Sequence, residues 1–387
     1  MEFDTKAIHG GLAKDEKGDV KMPIYVSSTF LVKDLEKPME TGYVYSRLNN
    51  PTREALEKRL AMLENGKFGL TFASGMAAET CLAMSLLKAG DHVVAFDDLY
   101  GGTKDLFNNI MKKNFEVELT YVDAREPENV KEAIKSNTKL VWLETPTNPL
   151  MKICDIKAIS SIARRHGVLT VVDNTFLSPY FQRPLECGAD IVIHSTTKYI
   201  NGHSDSIGGA VIVSDENVYK KIKFTRDETG SAMSPFDSFL VLRGLETLPV
   251  RMEKHQQNAK SVVEYLKDNE HVEEVYYPGI KDHPQIDVIK RQMTGYGGTL
   301  SFLMEGKRNE INKFLTSLKI FSFAVSLGGT ESLVENPAYM THFHLSTKER
   351  EKIGIKDGLI RMSVGLEDPK DMIADLEQAF TAAFSGR

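Results

Sequence analysis

The sequence predicts an α/β protein in which a mainly parallel, mixed sheet is covered by helices on both faces and followed by a smaller C-terminal α+β domain. The first observation is a series of short apolar runs that indicate strands, namely HVVAF, VELTYV, LVWLE, LTVVD, DIVIH and GAVIV. The second is that the first several of these runs are separated by segments of helical character, such as AAETCLAMSLLKAG and IKAISSIARRHG. Strand–helix alternation of this kind is typical of parallel sheets buried on both faces.

The chain divides into three expected parts. Residues 1–50 lack a clear period and are rich in turn formers, which indicates an extended arm that lies on something else. Residues 51–246 carry the alternating pattern and form the large domain, whose first helix is expected to be capped by Thr52 and closed by Gly66. Residues 247–387 begin with a long helical segment, continue with shorter strands such as TLSFLM and LIRMSVG, and close with the helix DMIADLEQAF.

Composition excludes several classes of function. A net charge of −6 over 387 residues offers no basic surface for nucleic acid, and no apolar run approaches the roughly 20 residues of a membrane helix. The start of the chain lacks the features of a signal peptide. The three dispersed cysteines, interpreted as buried structural residues, favour a reducing cytoplasm over a disulfide framework. The pair His342 and His344 has no neighbouring acids and is interpreted as surface, so no metal site is expected.

Polar residues collect where the predicted strands end. Asp173 ends LTVVD, Asn148 follows LVWLE, and Ser195, Thr197 and Lys198 follow DIVI. In an open parallel sheet, ligands bind at the carboxyl ends of the strands. The turn ASGM at 73–76 precedes a helix, and its free N–H groups and the helix dipole make an anion cradle that the Ser195 and Thr197 hydroxyls can complete.

A lysine, an acid and an anion cradle at one sheet edge indicate pyridoxal 5′-phosphate (PLP). This cofactor needs an amine for covalent attachment, which Lys198 supplies, and an acid that keeps its ring nitrogen protonated, which is Asp173. Once released by the substrate, the Lys198 amine can move carbon-bound protons. Tyr100, in LYGGT after another strand, is placed to stack on the ring and to assist proton transfer.

Two other classes of protein fit less well. A nicotinamide-dependent dehydrogenase also uses a parallel sheet, but no strand here runs into GxGxxG, and GYGGT lies in the C-terminal part with no helix following. A binding or scaffold protein without a cofactor would leave Lys198, Asp173 and Arg361 without a common purpose. A yellow protein in which borohydride fixes the cofactor onto Lys198 would exclude both.

The chain resembles the Cys/Met metabolism family of PLP-dependent enzymes, which includes cystathionine γ-synthase, cystathionine γ- and β-lyases and methionine γ-lyase. The resemblance runs nearly end to end, through AIHGG, PIYVSSTF, YSRLNNPT, ASGMAA, LYGGT, ETPTNP, VVDNTF, HSTTKYINGHSD, SLGGTESL and RMSVGLED. It implies the type I PLP-dependent transferase-like fold and a homotetramer, built as a dimer of dimers with shared active sites.

The resemblance also implies roles for individual residues. Lys198 is the catalytic lysine, Asp173 the partner of the ring nitrogen, and Tyr100 the stacking residue. The resemblance assigns the remaining positions to the phosphate in the same subunit (Gly75, Met76, Ser195 and Thr197), to the phosphate of the neighbouring subunit (Tyr45 and Arg47), to the cofactor ring oxygen (Asn148) and to the substrate carboxylate (Arg361, with Ser326 beside it).

The expected reaction is γ-elimination on methionine, cystathionine or homocysteine, which gives 2-oxobutyrate, ammonia and a thiol. Family members that handle cystathionine often carry Glu, Arg and Glu at three positions that read Val44, Asp105 and Val325 here. Two of these charges are missing and Asp105 reverses the third, which favours a compact apolar substrate. Against methionine, Gly102 stands where methionine γ-lyases often carry a cysteine. The alternatives left open are γ-replacement, by a cystathionine γ-synthase or an O-acylhomoserine sulfhydrylase, and then a cystathionine β-lyase.

Overall fold

The computed structural model describes residues 1–11, 18–37, 40, 42–341, 350 and 353–385; His342 and His344 therefore lie outside the described residues. Its larger sheet has seven strands in the order β1-β7-β6-β5-β4-β2-β3. These are β1 (Phe68–Phe72), β2 (His92–Phe96), β3 (Glu118–Val122), β4 (Thr138–Glu144), β5 (Leu169–Asp173), β6 (Ile191–Ser195) and β7 (Gly209–Val213). Strands β2 to β6 pair in parallel, and only β7 is antiparallel to its neighbours β1 and β6. The predicted fold class is confirmed.

Helices enclose this sheet on both faces. They are α2 (Pro51–Leu63), α3 (Gly75–Leu86), α4 (Gly101–Asp105), α5 (Lys112–Phe115), α6 (Pro127–Ala133), α7 (Ile156–Arg165), α8 (Ser178–Phe181), α9 (Glu216–Thr229) and α10 (Pro235–Leu245), with a π-helical segment, Leu106–Met111, between α4 and α5. On β6, Ile191 and Ile193 join one buried apolar cluster and Val192 joins another. Because side chains alternate along a strand, both faces of β6 are buried, as parallel sheets require.

The N-terminal part differs from the expectation in two respects. Residues Phe3–His9 form a short helix, α1, which packs against α2 and buries Ala7, so the arm is not extended throughout. The cap of α2 is Asn50 rather than Thr52: the Asn50 side chain accepts hydrogen bonds from the N–H groups of Thr52 and Arg53. Thr52 instead donates its hydroxyl to the carbonyl of Pro23, which ties the arm to the helix.

A second sheet of five strands follows in the order β10-β11-β12-β9-β8. Its strands are β8 (Val272–Tyr276), β9 (Thr299–Met304), β10 (Ser322–Phe323), β11 (Leu333–Glu335) and β12 (Leu359–Ser363). The accompanying helices are α11 (Leu248–Lys267), α12 (Ile286–Gln292), α13 (Arg308–Ser317) and α14 (Pro369–Phe384). Phe302, Phe314 and Phe380 pack together in the buried cluster beneath this sheet, which gives the C-terminal part a core of its own.

The cysteines and helix lengths test two further expectations. Cys81 and Cys154 are buried thiols, but Cys187 is only partly buried, so the expectation of three buried cysteines was wrong for Cys187. Within the described ranges, no helix combines the length and apolar character needed to span a membrane.

Candidate active site

A cavity of about 1130 Å³ opens at the carboxyl ends of the parallel strands and extends to the second sheet. In-register pairing aligns the ends of β4 and β5, where Glu144 lies opposite Asp173. The cavity is lined by ten of the residues predicted from the sequence, namely Gly75, Met76, Tyr100, Asn148, Asp173, Ser195, Thr197, Lys198, Ser326 and Arg361. The chain thus brings together in one space residues that are up to 286 positions apart.

Tyr45 and Arg47 do not line this cavity within their own chain. The Tyr45 side chain is 44% exposed. Arg47 donates from Nη1 to the carbonyl oxygen of Asp227, and its guanidinium carbon lies 5.7 Å from the centre of the Tyr45 ring. Neither residue therefore contributes to the cavity formed by its own chain.

Lys198 lies in the turn after β6 and extends into the cavity. Its Nζ donates a hydrogen bond to Ser326 Oγ at 2.7 Å. Burial is the main cause that lowers the pKa of the amine to about 8, the positive charge of Arg361 adds to the decrease, and the negative charge of Glu335 opposes it. A much larger fraction of this amine is therefore neutral near pH 7 than of a surface lysine, and only the neutral form is nucleophilic and basic.

Arg361 extends from β12 of the second sheet into the same cavity. Its Nη2 donates to the carbonyl oxygen of Ser326 at 2.7 Å, and its Nη1 donates to Asn148 Oδ1 at 3.1 Å. The same Nη1 lies 2.9 Å from Oε1 of Glu335 on β11. Ser326 has a φ of 104°, which a residue with a side chain rarely adopts, and this strained backbone lies between Lys198 and Arg361.

The start of α3 provides an anion site in the same cavity. Ser74 caps the helix by accepting a hydrogen bond from the N–H of Ala77 at 3.0 Å. Among the described residues, none accepts from the N–H groups of Gly75 and Met76, which therefore remain available at the positive end of the helix dipole. A Cβ at Gly75 would lie 3.1 Å from the Cβ of Ser195, so only glycine lets these N–H groups and the Ser195 hydroxyl converge without displacement.

Asp173 stands at the end of β5 and accepts a hydrogen bond from the N–H of Thr175 at 2.9 Å. Burial raises the pKa of the Asp173 carboxyl. A cationic partner at this place would reverse that effect by favouring the ionised form. The pyridine nitrogen of PLP is such a partner when it is protonated.

Three buried acids in the site were missed by the sequence reasoning. Glu144 orients the loops on either side of it, because its Oε2 accepts from the N–H of Tyr100 at 2.7 Å and its Oε1 from the N–H of Asn148 at 2.9 Å. Burial raises the pKa of Glu144 well above its ordinary value, and the charge of Asp173 adds to the increase. Glu79, on the first turns of α3, has its pKa raised to about 8 by burial first and by the charge of Asp173 second. Glu335, described above with Arg361, is the third.

A sequence signal existed for only one of these acids. Glu144 ends β4 as Asp173 ends β5, so the rule that polar residues collect at strand ends applies equally to both. Glu79 lies in a helix, and Glu335 lies in a short strand far from the lysine motif. Neither position is marked by spacing or by a neighbouring motif.

The cavity has the chemistry that PLP requires. An amine with a lowered pKa, a buried acid and an anion site with free N–H groups line the same space. The Tyr100 ring is 41% exposed, which leaves it accessible for contact with a ring-shaped ligand. The residues present therefore fit the group that the sequence led us to expect.

Comparisons with known proteins agree with this chemistry. The profile of the family described as Cys/Met metabolism PLP-dependent enzyme matches residues 4–381. A cystathionine γ-lyase of Dictyostelium discoideum is 48% identical over 98% of this chain and 97% of its own length. A cystathionine β-lyase of Coxiella burnetii is 46% identical over 97% of each chain.

A solved structure gives the same result for the fold. The cystathionine γ-lyase of Lactobacillus plantarum, crystallised in complex with L-serine, superimposes with a TM-score of 0.95 at 43% identity and covers 99% of both chains. The match over nearly the whole chain includes the strands, the cavity and the second sheet. The chain belongs to the Cys/Met metabolism family of PLP-dependent enzymes.

Proposed function

We propose that this enzyme is a carbon–sulfur γ-lyase that converts a sulfur amino acid into 2-oxobutyrate, ammonia and a thiol. One observation carries the proposal: the Lys198 amine and the Arg361 guanidinium converge on Ser326 within a single cavity that also contains Asp173. A reaction at the Cα of an amino acid requires a group that moves protons and a group that binds the α-carboxylate. The Lys198 amine and the Arg361 guanidinium can perform these two functions. The γ-lyase named among the relatives adds support for elimination.

The cavity lining and the family resemblance together support a set of residues that would hold the cofactor. The N–H groups of Gly75 and Met76, with the hydroxyls of Ser195 and Thr197, would bind the phosphate. Asp173 would pair with the ring nitrogen, Tyr100 would contact the ring face, and Asn148, by the family resemblance, would bind the ring oxygen. When bound, PLP supplies the electron sink that makes the substrate Cα–H acidic.

The chain then moves the protons. Arg361 binds the substrate carboxylate through its planar fork and so fixes the Cα next to Lys198. Lys198 takes the Cα proton in its neutral form, and a second proton must leave Cβ before the sulfur at Cγ can depart. Ser326 positions both partners, since its hydroxyl contacts Lys198 and its carbonyl contacts Arg361.

The rim of the cavity supports a compact, apolar substrate side chain. Val325 lines the cavity with a side chain that is 56% exposed, and Ala324 and Leu327 lie beside it. Val44 and Asp105 do not line the cavity of their own chain. The stretch from Ala324 to Leu327 carries no charge that would pair with a distal ammonium, so we propose methionine as a substrate alongside cystathionine and homocysteine.

The arm completes the site in a dimer. We propose that Tyr45 and Arg47 bind the phosphate of the neighbouring subunit, because they are exposed and lie outside the cavity of their own chain. We propose that the chain divides into an arm (1–50), a cofactor domain (51–246) and a C-terminal domain (247–387). We propose a homotetramer as the assembly. We also propose the cytoplasm as the location, because three free cysteines favour a reducing compartment.

Mixing of inactive subunits tests the shared site. Arg47→Ala and Lys198→Ala subunits should each be inactive alone, and hybrid dimers should regain one intact site. Demonstrated hybrids with no recovered activity would contradict sharing.

The reaction itself is tested by offering methionine, cystathionine, homocysteine, and O-acylhomoserine with cysteine, while 2-oxo acid and thioether are both measured. The proposal expects 2-oxobutyrate to form faster than any thioether, and Lys198→Ala to abolish both. Faster thioether formation would identify a γ-replacement enzyme. Pyruvate from cystathionine would identify a β-lyase.

A further inference from the structure

Arg361 already has a buried counter-charge before any substrate enters. Glu335 on β11 and Arg361 on β12 are directly paired across the two strands, and Arg361 Nη1 lies 2.9 Å from Glu335 Oε1. The Arg361 side chain is 4% exposed and the Glu335 side chain is 0% exposed. Since solvent does not screen this pair, the charge of Glu335 cancels most of the charge that Arg361 presents to the cavity.

The need to hydrogen-bond the Arg361 guanidinium does not by itself explain why the Glu335 carboxylate lies beside it. Neutral acceptors, Asn148 Oδ1 and the Ser326 carbonyl, already orient the Arg361 guanidinium. Thr341 donates its hydroxyl to Glu335 Oε1 at 3.3 Å, while Glu335 Oε2 is buried with no hydrogen-bond partner in the described part of the chain. Burying a carboxylate so incompletely bonded is costly, so its contribution here is its charge.

The charge of Glu335 affects a second residue of the cavity besides Arg361. It acts on Lys198, where it opposes the effects of burial and of Arg361 on the pKa of the amine. Glu335 also lines the cavity that contains both residues. A ligand bound between them therefore experiences the field of Glu335.

We propose that Glu335 makes the site selective for zwitterionic α-amino acids over simple carboxylates. This inference rests on the proposed function, because it takes Arg361 as the carboxylate site. A zwitterion adds no net charge to the neutral Arg361–Glu335 pair. A carboxylate without an ammonium group leaves one negative charge uncompensated beside Glu335, and at roughly 6 Å with an effective dielectric constant of about 20 the repulsion corresponds to about a hundredfold in affinity.

The same charge acts on the product of the proposed elimination. A 2-oxo acid is a carboxylate that has lost its amine, and it therefore belongs to the disfavoured class. Glu335 thus distinguishes substrate from product by charge, which weakens product inhibition. It does so through Arg361 and takes no part in breaking bonds.

The test measures butyrate, a simple carboxylate, by calorimetric titration of the holoenzyme. Glu335→Gln keeps the shape of the side chain and removes its charge, so butyrate should bind at least about tenfold more tightly than to the wild type. Glu331→Gln is the matched control, since Glu331 lines the same cavity but its carboxylate contacts Ser204 and Thr330 instead of Arg361. Its butyrate affinity should stay within about twofold of the wild type.

Unchanged or weaker butyrate binding by Glu335→Gln overturns the inference, as does an equal gain in both variants. Should Glu335→Gln fail to fold, the wild type decides: butyrate should bind at most about tenfold more tightly than its neutral analogue butyramide, and a preference above about a hundredfold overturns the proposal. Binding is measured without turnover. A wild-type butyrate affinity in a Glu335→Gln enzyme that releases 2-oxobutyrate would refute this inference alone.

Discussion

Replacing Glu79 with Gln should stabilise the cofactor-free protein, and increasingly so as the pH rises. The Glu79 side chain is 3% exposed, and its Oε2 has no hydrogen-bond partner in the described ranges. Burial, and after it the charge of Asp173, raise the pKa of the carboxyl from 4.5 to about 8. Gln has the same shape and carries no charge at any pH, so the substitution removes this cost and little else.

The sign follows from proton binding. Between pH 4.5 and about 8 the folded protein keeps the Glu79 proton that the unfolded chain has released, so the wild type loses stability as the pH rises through this range. At about 1.4 kcal/mol per pKa unit, the loss is about 1 kcal/mol at pH 5.5 and about 5 kcal/mol above pH 8. The gain from Glu79→Gln should grow in the same way and then level off.

Thermal unfolding of the cofactor-free wild type and variant over a pH series measures this difference. We expect the melting temperatures to diverge by several degrees between about pH 5.5 and 8.5. Glu132→Gln is the control, because Glu132 is exposed on α6 and its side chain makes no ion pair within the described ranges, so its replacement should give no comparable gain. A stability difference between wild type and Glu79→Gln that stays constant with pH would refute the reasoning.

Three further predictions concern other parts of the chain. Without cofactor, an amine-directed reagent should label Lys198 with a midpoint near pH 8, measured by peptide mapping, and a midpoint near 10.5 would contradict the effects of burial and of Arg361. Gly102→Val should weaken PLP binding at least about tenfold in equilibrium dialysis, because a Cβ there would lie 2.6 Å from Tyr100 Cε1 and a branched side chain must displace that ring; an unchanged constant would show that the ring position is unimportant. Asn50→Ala should cost at least about 1 kcal/mol of unfolding free energy, because the α2 cap and the bond from Asn50 Nδ2 to the Tyr25 carbonyl are both lost, and an unchanged unfolding free energy would argue against capping.

Much of the site could be predicted from the sequence because its residues occupy strand ends. Parallel pairing brings the carboxyl ends of β4, β5 and β6 to one edge, so Asp173, Asn148 and Lys198 had to lie near one another once the strands were recognised. The anion site was equally local, since Ser74 caps the helix that carries Gly75. These inferences needed only short-range patterns and one topological rule.

Elements of the N-terminal part could not be predicted in the same way. Asn50 and Thr52 are both good capping residues, and the choice depends on the extended backbone at Asn50, which the arm helps to fix through the hydrogen bond from Asn50 Nδ2 to the carbonyl of Tyr25. Helix α1 has only seven residues, too few to be stable alone. It is held by tertiary contacts, including the bond from Arg59 Nε to the carbonyl of Gly10 at its end.

The buried acids were missed for a different reason. The charge of Asp173 helps to raise the pKa of Glu79, and Glu335 forms an ion pair with Arg361. Both partners, Asp173 and Arg361, belong to other elements of the chain. No periodicity within α3 or β11 distinguishes an acid that faces a cavity from one that faces solvent. Tyr45 and Arg47 were assigned only through the family resemblance, since their proposed partners lie in another subunit.

Ser326 belongs to the second sheet's side of the cavity, yet its hydroxyl binds the lysine that follows β6 and its carbonyl binds the arginine of β12. A small rotation of the C-terminal part would therefore change the hydrogen bond between Ser326 and the Lys198 amine directly, whether or not substrate is bound. The absorbance of PLP bound to Lys198 should then report on the position of the C-terminal part relative to the large domain, even in the absence of substrate.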